Sequence, residues 1–282
     1  MRIQRKEKTE ITSRFSFFIE AMELTTISSG SGGNCSLITA DGTAVLVDAG
    51  ISLRRITCSL RALGTELGDV SAVLITHEHI DHIKALGMLT RYWRIPIFAT
   101  PGTADAIRAA IPEAAGMLWE FSPGEVMRFG TLEVQAFPTS HDAAQSVGYV
   151  FTHEGRRLLF ATDTGVITPE EAEAGKGCDA ALLESNHDVE MLRRGPYPAA
   201  LKRRILSERG HLSNGDCGSF AAYLAGLGTR RFILAHLSRE NNTPALAVET
   251  VSRALAAAGA VPGRDVSLCT APEKTPMGPI EV

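Results

Sequence analysis

Short apolar runs separated by glycine-rich turns open the regular part of the chain, from residue 22 onward. Each run is four or five residues long and contains β-branched side chains, a pattern typical of strands. Because the turns between the runs favour tight chain reversals, the pattern predicts an antiparallel meander. The predicted strands are residues 24–27, 35–39 and 44–47, and a helix with Ser52 as its N-cap is predicted over 52–63.

Strands then alternate with helical patterns along the rest of the chain. The run Ala-Val-Leu-Ile-Thr at 72–76 has the length and composition of a buried strand. Further strands are predicted over 96–99, 132–137, 147–152, 157–161, 180–184 and 231–235. Helices are predicted over 81–92, 103–111, 169–174, 198–209, 215–227 and 245–258, and the Pro- and Gly-rich tail from Ala271 is predicted to be irregular. This mixture of antiparallel strands and strand–helix units predicts layered sheets covered by helices on their outer faces.

The composition is that of a globular protein, with 282 residues of which 44% are hydrophobic and 21% are charged. No stretch approaches the roughly 18 consecutive apolar residues of a membrane span. The five cysteines are far apart and form no Cys-x-x-Cys pair, which disfavours both a disulfide framework and a cysteine zinc site. We therefore expect reduced thiols in a cytoplasmic protein. The net charge of −4 disfavours binding to nucleic acid through an overall positive field, but it leaves room for a local basic patch.

The first 21 residues differ from the rest of the chain. Charges of both signs are spread through them, and their apolar stretch Ser-Phe-Phe-Ile is too short for a signal-peptide core. We expect an N-terminal extension, residues 1–21, outside the fold, followed by one domain over 22–282. A short amphipathic helix packed on that domain is the alternative.

A dense group of metal-binding side chains follows directly on the predicted strand 72–76. It consists of three histidines and an aspartate within six residues, His77-Glu78-His79-Ile80-Asp81-His82. Imidazole and carboxylate together suit zinc, iron, nickel or manganese. His141, Asp163 and His236 each come shortly after another predicted strand. A single histidine at a strand end is usually a surface or core residue, but the ends of several strands meet at one edge of a sheet, where sites commonly form. The whole set therefore predicts a metal centre.

In order and spacing, these motifs resemble the metallo-β-lactamase superfamily over about residues 22–268. The resemblance implies an αββα four-layer sandwich, with two mixed β-sheets and helices on the outer faces, and a site for two divalent metal ions. It implies that one ion is held by His77, His79 and His141, that the other is held by Asp81, His82 and His236, and that Asp163 bridges the two. Asp48, in the segment Leu-Val-Asp-Ala-Gly at 46–50, matches the superfamily's early aspartate and is expected to orient the site rather than bind metal. Affinity trends favour zinc, and manganese would suit a nuclease.

Further segments narrow the resemblance to the YycJ/WalJ-type proteins, a bacterial branch of the superfamily. These segments are Gly-Ser-Gly-Gly-Asn-Cys at 30–35, Thr-Asp-Thr-Gly at 162–165, Glu-Ser-Asn-His-Asp at 184–188, Tyr197-Pro198, Gly-His-Leu-Ser-Asn at 210–214 and Ala-His-Leu-Ser-Arg-Glu-Asn-Asn at 235–242. The resemblance implies exonuclease activity on DNA from 5′ ends. Glu184 and Gly210-His211 also resemble motifs of the tRNase Z relatives. This implies that His211 donates a proton to the leaving oxygen and that Glu184 orients His211. Asp81 is expected to serve catalysis as well as metal binding.

A basic segment lies next to these motifs, with six arginines and lysines within 17 residues: Arg193, Arg194, Lys202, Arg203, Arg204 and Arg209. Arginine can grip phosphate with two hydrogen bonds, so the segment is a candidate surface for a polyanionic backbone. Its alternative is an ordinary solvated helix face. The candidate substrate contacts are His187, Arg203 and Arg204.

Several functions share this chemistry. A pair of metal ions can activate water and stabilise in-line displacement at phosphorus. The favoured function is therefore a two-metal phosphodiesterase that acts on DNA, with RNA as the alternative polymer. A hydrolase of small esters, thioesters or lactones and a non-catalytic regulator are the other hypotheses. The 73 positions between Asp163 and His236 leave no room for the inserted domain of β-CASP nucleases such as RNase J. No nucleotide cofactor and no membrane partner are expected, and a homodimer is left open.

Overall fold

Two seven-stranded mixed sheets form the centre of the molecule in a computed structural model, which describes residues 21–282. The first sheet contains β1 (Glu23–Ser28), β2 (Cys35–Ala40), β3 (Thr43–Val47), β4 (Val70–Leu74), β5 (Ile97–Ala99) and β6 (Leu118–Glu120). The second sheet contains β7 (Val126–Phe129), β8 (Leu132–Pro138), β9 (Val147–His153), β10 (Arg156–Ala161), β11 (Ala180–Glu184), β12 (Arg231–Ala235) and β13 (Ser267–Thr270). The last strand, β14 (Met277–Glu281), returns to the first sheet and pairs antiparallel with β1.

Helices cover the outer faces of both sheets. They are α1 (Leu53–Ala62), α2 (Ile80–Ile83), α3 (Leu86–Tyr92), α4 (Pro101–Ala110), α5 (Pro169–Ala174), α6 (Val189–Arg194), α7 (Ala199–Ile205), α8 (Asn214–Gly226) and α9 (Pro244–Ala257). Ser52 caps α1 as expected, since its side chain accepts a hydrogen bond from Arg55 N. No helix within residues 21–282 is both long and apolar enough to cross a bilayer.

Alternation along each strand separates the core into layers. In β3, Val45 belongs to the core between the two sheets, whereas its neighbour Leu46 packs with Leu60 of α1 on the outer side. In the second sheet, Leu159 and Leu183 pack outward with Phe220 of α8 and other apolar residues of α8 and α9. Successive strand residues point to opposite faces, so a fully apolar strand can fill two layers at once. The αββα sandwich implied by the sequence is confirmed.

The structure corrects three predicted elements. The predicted helix 81–92 is interrupted between α2 and α3, where Ala85 N donates a hydrogen bond to Ala49 O and ties the chain to another loop. The predicted helix 198–209 ends at Ile205, because a tight turn follows in which a Cβ on Gly210 would lie 2.2 Å from Ile205 O. The tail is not irregular throughout, since it contains β14.

The short strands β6, β7 and β13 and the helix α6 were missing from the sequence prediction. Each has only three to six residues, so its pattern is too short to stand out. The predicted extension 1–21 lies outside the described residues except for Ala21. Its place outside the fold, and the domain boundary at residue 22, stay predictions.

The topology places five polar loops at one edge of the molecule. Strands β3 to β6 are parallel to one another, as are β10 to β13, so each group has its carboxyl ends on one side. The loops after β4, β8, β10, β11 and β12 carry the candidate functional residues of the sequence. This edge is where the site is found.

Candidate metal centre

Two adjacent groups of side chains meet at the carboxyl edge of the sheets. In the first, His77, His79 and His141 each offer a ligand atom within 4.8 Å of the others. In the second, Asp81, His82 and His236 do the same. The predicted ligand set is therefore brought together from four separate loops. We call the seven predicted ligands the cleft floor: His77, His79, Asp81, His82, His141, Asp163 and His236.

Asp163 lies between the two groups. Its Oδ2 is 3.4 Å from His82 Nε2, and its Oδ1 is 3.9 Å from His141 Nε2. The same Oδ1 is 3.3 Å from His236 Nδ1. Among the floor residues, this carboxylate thus contacts members of both groups, which is the position that a bridging ligand requires.

The loop after β4 is held in place by close packing against the loop after β3. Gly50 allows this approach, since a Cβ there would lie 1.6 Å from Asp81 O. Ala49 N donates to His82 O at 2.7 Å, and Asn34 N donates to Asp81 O at 2.8 Å. The segments at 30–35 and 46–50 therefore fix the backbone that carries the floor residues Asp81 and His82.

Three floor histidines follow one hydrogen-bonding rule. The Nδ1–H of His82 donates to Asp48 Oδ2 at 2.7 Å, that of His141 donates to Gly210 O at 3.0 Å, and that of His236 donates to Glu184 Oε1 at 2.8 Å. Each of these bonds fixes the tautomer, so Nε2 carries the lone pair. Histidines that bind metals are usually oriented in this way through their second nitrogen.

Asp48 supports the floor from below, as expected from the sequence. It is buried and accepts hydrogen bonds from Thr76 N at 2.9 Å and from Thr76 Oγ1 at 3.0 Å, in addition to that from His82. Burial raises the pKa of Asp48, against the lowering effect of His82. Burial lowers the pKa of His82, but Asp48 and Asp163 outweigh it and raise this pKa to about 9.

Burial and nearby charges set the pKa values of four other floor residues. Burial lowers the pKa of His77 and of His141, which favours the neutral imidazole that metal binding needs. Burial opposes the charged form of His236, yet the nearby carboxylates of Asp163, Asp81 and Glu184 raise its pKa well above the usual range. For Asp81, burial is outweighed by its contacts with His236 and His82, which hold its pKa below the usual range.

Strained backbone marks three of the loops. Asp48, Asp163 and His236 have φ angles of 61°, 55° and 55°, in the left-handed region that non-glycine residues rarely occupy. Such strain costs about 1–3 kcal/mol at each position and persists where the surrounding structure imposes it, often at functional sites.

Unpartnered polar atoms show that the floor fits cations. His77 Nε2, Asp163 Oδ2 and His236 Nε2 are buried and have no hydrogen-bond partner among the described residues. A buried polar atom left unpaired costs about 1–3 kcal/mol, so native structures rarely tolerate several together. Imidazole nitrogens and carboxylate oxygens that converge in this way are the donor set of zinc, manganese or iron. The residues present therefore fit a pair of divalent metal ions.

Glu184 joins two histidines behind the floor. It is fully buried, and its Oε1 accepts from the Nδ1 of His211 and of His236, both at 2.8 Å. Its Oε2 accepts from Thr164 N at 2.9 Å and from Leu212 N at 3.2 Å. Burial would raise the pKa of Glu184, but the two histidines hold it below the usual range. The sequence predicted the pairing with His211 but not the bond to His236.

A cleft of about 210 Å³ opens above the floor. His211 lines it, with its side chain 17% exposed, while Nδ1 is held by Glu184. We call the more exposed side of this cleft the cleft wall, which consists of Ser31, Tyr197, Leu201 and Arg204. Arg204 was a predicted substrate contact, and Ser31 and Tyr197 stand in segments that carry the family resemblance, whereas Leu201 was missed in the sequence analysis. The spacing of Tyr197, Leu201 and Arg204 by four and then three residues was the available signal.

The predicted substrate contacts are distributed unevenly. Arg204 lines the cleft and forms a two-point ion pair with Asp142. Arg203 is exposed on α7 and does not line the cleft. His187 is 1% exposed, lies outside the cleft lining and has no hydrogen-bond partner on either ring nitrogen among the described residues.

A buried carboxylate that the sequence analysis missed lies beside this network. Glu171 in α5 is fully buried, and Thr164 Oγ1 donates to its Oε2 at 3.2 Å. Burial raises the pKa of Glu171 to about 8. No sequence motif marks this position, because its environment is created only by the fold.

Comparisons with known proteins show which family and fold this chain shares. The family described as Beta-lactamase superfamily domain matches residues 43–237. The exodeoxyribonuclease YycJ of Bacillus anthracis is 40% identical over 235 residues, which cover 83% of this chain and 89% of that protein. The exodeoxyribonuclease WalJ of Streptococcus pneumoniae is 36% identical over 237 residues, which cover 82% of this chain and 87% of that protein. The crystal structure of Zn²⁺-bound PqqB from Methylobacterium extorquens has the same fold, with a TM-score of 0.68, 21% identity and coverage of 91% of this chain and all of that one.

Proposed function

Because the chain belongs to the β-lactamase superfamily, and within it to the family of the exodeoxyribonucleases YycJ and WalJ, we propose that it is a two-metal exonuclease that hydrolyses the phosphodiester bonds of DNA from the 5′ end. Membership makes the protein a hydrolase. The two-metal centre, the DNA substrate and the direction of cleavage are the content of the proposal. The observation that carries it is the Glu184–His211 pair beside the floor.

The floor supplies ligands for both ions. His77, His79 and His141 would hold one, Asp81, His82 and His236 would hold the other, and Asp163 would contact both. When bound, two divalent ions lower the pKa of water and offset the negative charge of a phosphate during in-line displacement. Zinc is favoured, and manganese is the alternative.

His211 is placed to protonate the leaving oxygen. Hydrolysis of a phosphodiester expels an alkoxide, which needs a proton. Glu184 accepts from His211 Nδ1, so it fixes the ring orientation and stabilises the protonated imidazole. Nε2 of that ring then donates its proton to the leaving oxygen in the cleft. A well-placed general acid typically contributes about 10²–10⁴-fold to the rate.

Arg204 is the member of the basic segment that lines the cleft. The other charges of the segment have different partners: Arg193 and Arg194 pair with Glu190, and Arg209 donates to His141 O. Arg204 would exchange its half-buried partner Asp142 for a substrate phosphate, which it can hold with two hydrogen bonds. Substrate contacts by Arg203 and His187 stay predictions.

The test compares wild type with His211→Ala. Elemental analysis of the purified protein gives the metal content. Digestion with added zinc or manganese, on end-labelled duplex and single strands of DNA and RNA, shows which polymer is cleaved and from which end. We expect His211→Ala to keep both ions and to lose about 10²–10⁴-fold in kcat. Full activity of this variant on a 5′-labelled duplex would contradict the role of His211. A metal-loaded wild type that cleaves small esters but no strand would refute the nuclease proposal.

A further inference from the structure

Tyr197 is an aromatic side chain in the cleft to which the proposed chemistry gives no role. It is half-buried and lines the same cleft as His79, Asp163 and His211. Its hydroxyl makes no hydrogen bond to any residue in 21–282. The ring is therefore not placed there to satisfy that hydroxyl within the fold.

The backbone holds Tyr197 rigidly. Prolines on both sides, Pro196 and Pro198, restrict the φ angles around it. The turn before it is tightly packed, since a Cβ on Gly195 would lie 2.7 Å from Asn241 Oδ1. Lys202 Nζ donates to Arg193 O at 2.7 Å and so ties α7 back to α6. A ring fixed in this way loses little conformational entropy when a ligand packs on it.

The size of the cleft limits what can reach this ring. Its volume of about 210 Å³ is below the usual range of roughly 300–1,000 Å³ for ligand pockets. This volume can hold part of one nucleotide and is smaller than a base pair. Arg204 lies seven residues further along the chain and lines the same cleft, where it can hold a neighbouring phosphate.

We propose that Tyr197 stacks on the base of one nucleotide next to the scissile phosphate, so that this cleft takes an unpaired strand end. The inference rests on the proposed nuclease function. Every base has a flat face, so such a contact tolerates sequence and suits an enzyme that degrades a strand stepwise. The end of a duplex must then open before cleavage, and unpairing one base costs a few kcal/mol.

The experiment measures kcat/KM for wild type, Tyr197→Ala and Tyr197→Phe on three kinds of substrate. These are a 5′-labelled single strand, the same strand with an abasic nucleotide on one or the other side of the scissile bond, and bis(p-nitrophenyl) phosphate. Tyr223→Ala is the matched control, because Tyr223 is 44% exposed on α8 and lies outside the cleft lining. Thermal melting of each variant monitors the fold.

We expect Tyr197→Ala to lower kcat/KM on the normal strand about 5- to 100-fold. Tyr197→Phe and Tyr223→Ala should stay within about twofold of wild type. At one of the two abasic positions, the kcat/KM of wild type should fall by a similar factor relative to the normal strand. The kcat/KM of Tyr197→Ala should not fall further on that abasic strand.

Two results would overturn the inference alone. One is additive losses from Tyr197→Ala and the abasic nucleotide at both positions, and the other is a loss by Tyr197→Phe equal to that by Tyr197→Ala, which would indicate a role of the hydroxyl and not of the ring. In both cases wild type still cleaves the strand. A wild type that hydrolyses only the small diester refutes the nuclease function, and the inference falls with it.

Discussion

The floor and the wall share one cleft but are held in different ways. Floor side chains follow the ends of strands, and most of them are buried with one atom bonded to the protein and another facing the centre. Wall side chains come from a glycine-rich loop and from α7 and its approach, and they are half-buried or exposed. Arg204 has a half-buried ion-pair partner, whereas the Tyr197 hydroxyl is unbonded within residues 21–282. The difference indicates that chemistry depends on the rigid strand ends, whereas substrate choice depends on a surface that can vary without disturbing them.

The largest effect should come from the residue that joins both halves of the floor. Asp163→Asn removes the negative charge between the two groups of ligands. We expect the metal content to fall from two ions per chain to one or none. The accompanying loss in kcat/KM should exceed the roughly 10–100-fold typical of groups that only orient ligands. Elemental analysis and strand digestion measure the two quantities on the same preparation.

Asp142→Asn is the matched control for this substitution. Asp142 is also a carboxylate near His141, but its partner is Arg204 on the wall. The Asp142→Asn variant should keep both metal ions. If Asp163→Asn retained two ions and full activity, the distinction between floor and wall would fail.

Glu184→Gln should have the next largest effect, because no orientation of an amide suits this position. One oxygen of Glu184 accepts from two histidine N–H groups, and the other accepts from two backbone N–H groups. The NH₂ of glutamine must therefore face either the two backbone N–H groups or the two histidine Nδ1 atoms, and in the second case both rings must give up the Nδ1 proton and with it the tautomer that leaves Nε2 of His236 free. Each unmade bond costs about 1–3 kcal/mol, and each kcal/mol lowers Tm by about 2–4 °C in a protein of this size.

Activity should fall together with stability in Glu184→Gln, by about 10²-fold or more, since both His211 and His236 lose their orientation. Thermal melting and strand digestion are the measurements. A variant with unchanged Tm and unchanged turnover would show that the buried carboxylate holds neither ring.

The floor could be predicted from the sequence more fully than the wall, of which only Arg204 was given a role, and the reason is physical. His77, Asp163 and His236 are chemically distinctive residues that each follow a recognisable apolar strand, and parallel strands share one edge. Tyr197 and Ser31 belong to segments that resemble relatives, but their residue types do not indicate a role, and they reach the cleft only because α7 and the glycine-rich loop pack there.

The same limit applies to the fold. Strands with strong patterns, such as β10 and β11, were predicted within a residue of their ends. The strand β14 was not predicted, because its pairing with β1 depends on a partner more than 230 residues away in the chain. The break between α2 and α3 likewise depends on the contact of Ala85 with Ala49, which no local pattern shows.

The smallest effect, and the sharpest test of the wall, should come from two adjacent arginines on α7. Arg204 lines the cleft and Arg203 does not, although each substitution to alanine removes one positive charge from the same helix. The Arg204–Asp142 pair is half-exposed, so it is worth at most about 1 kcal/mol, and a phosphate can replace Asp142 at little cost. We expect Arg204→Ala to raise KM about 5- to 20-fold with a smaller change in kcat. The slope of log KM against log salt concentration should fall by about 1, because one phosphate contact is lost. Arg203→Ala should leave KM within about twofold. Equal losses from the two variants would mean that the basic segment acts through its overall field, and the wall would then have no individual phosphate contact at Arg204.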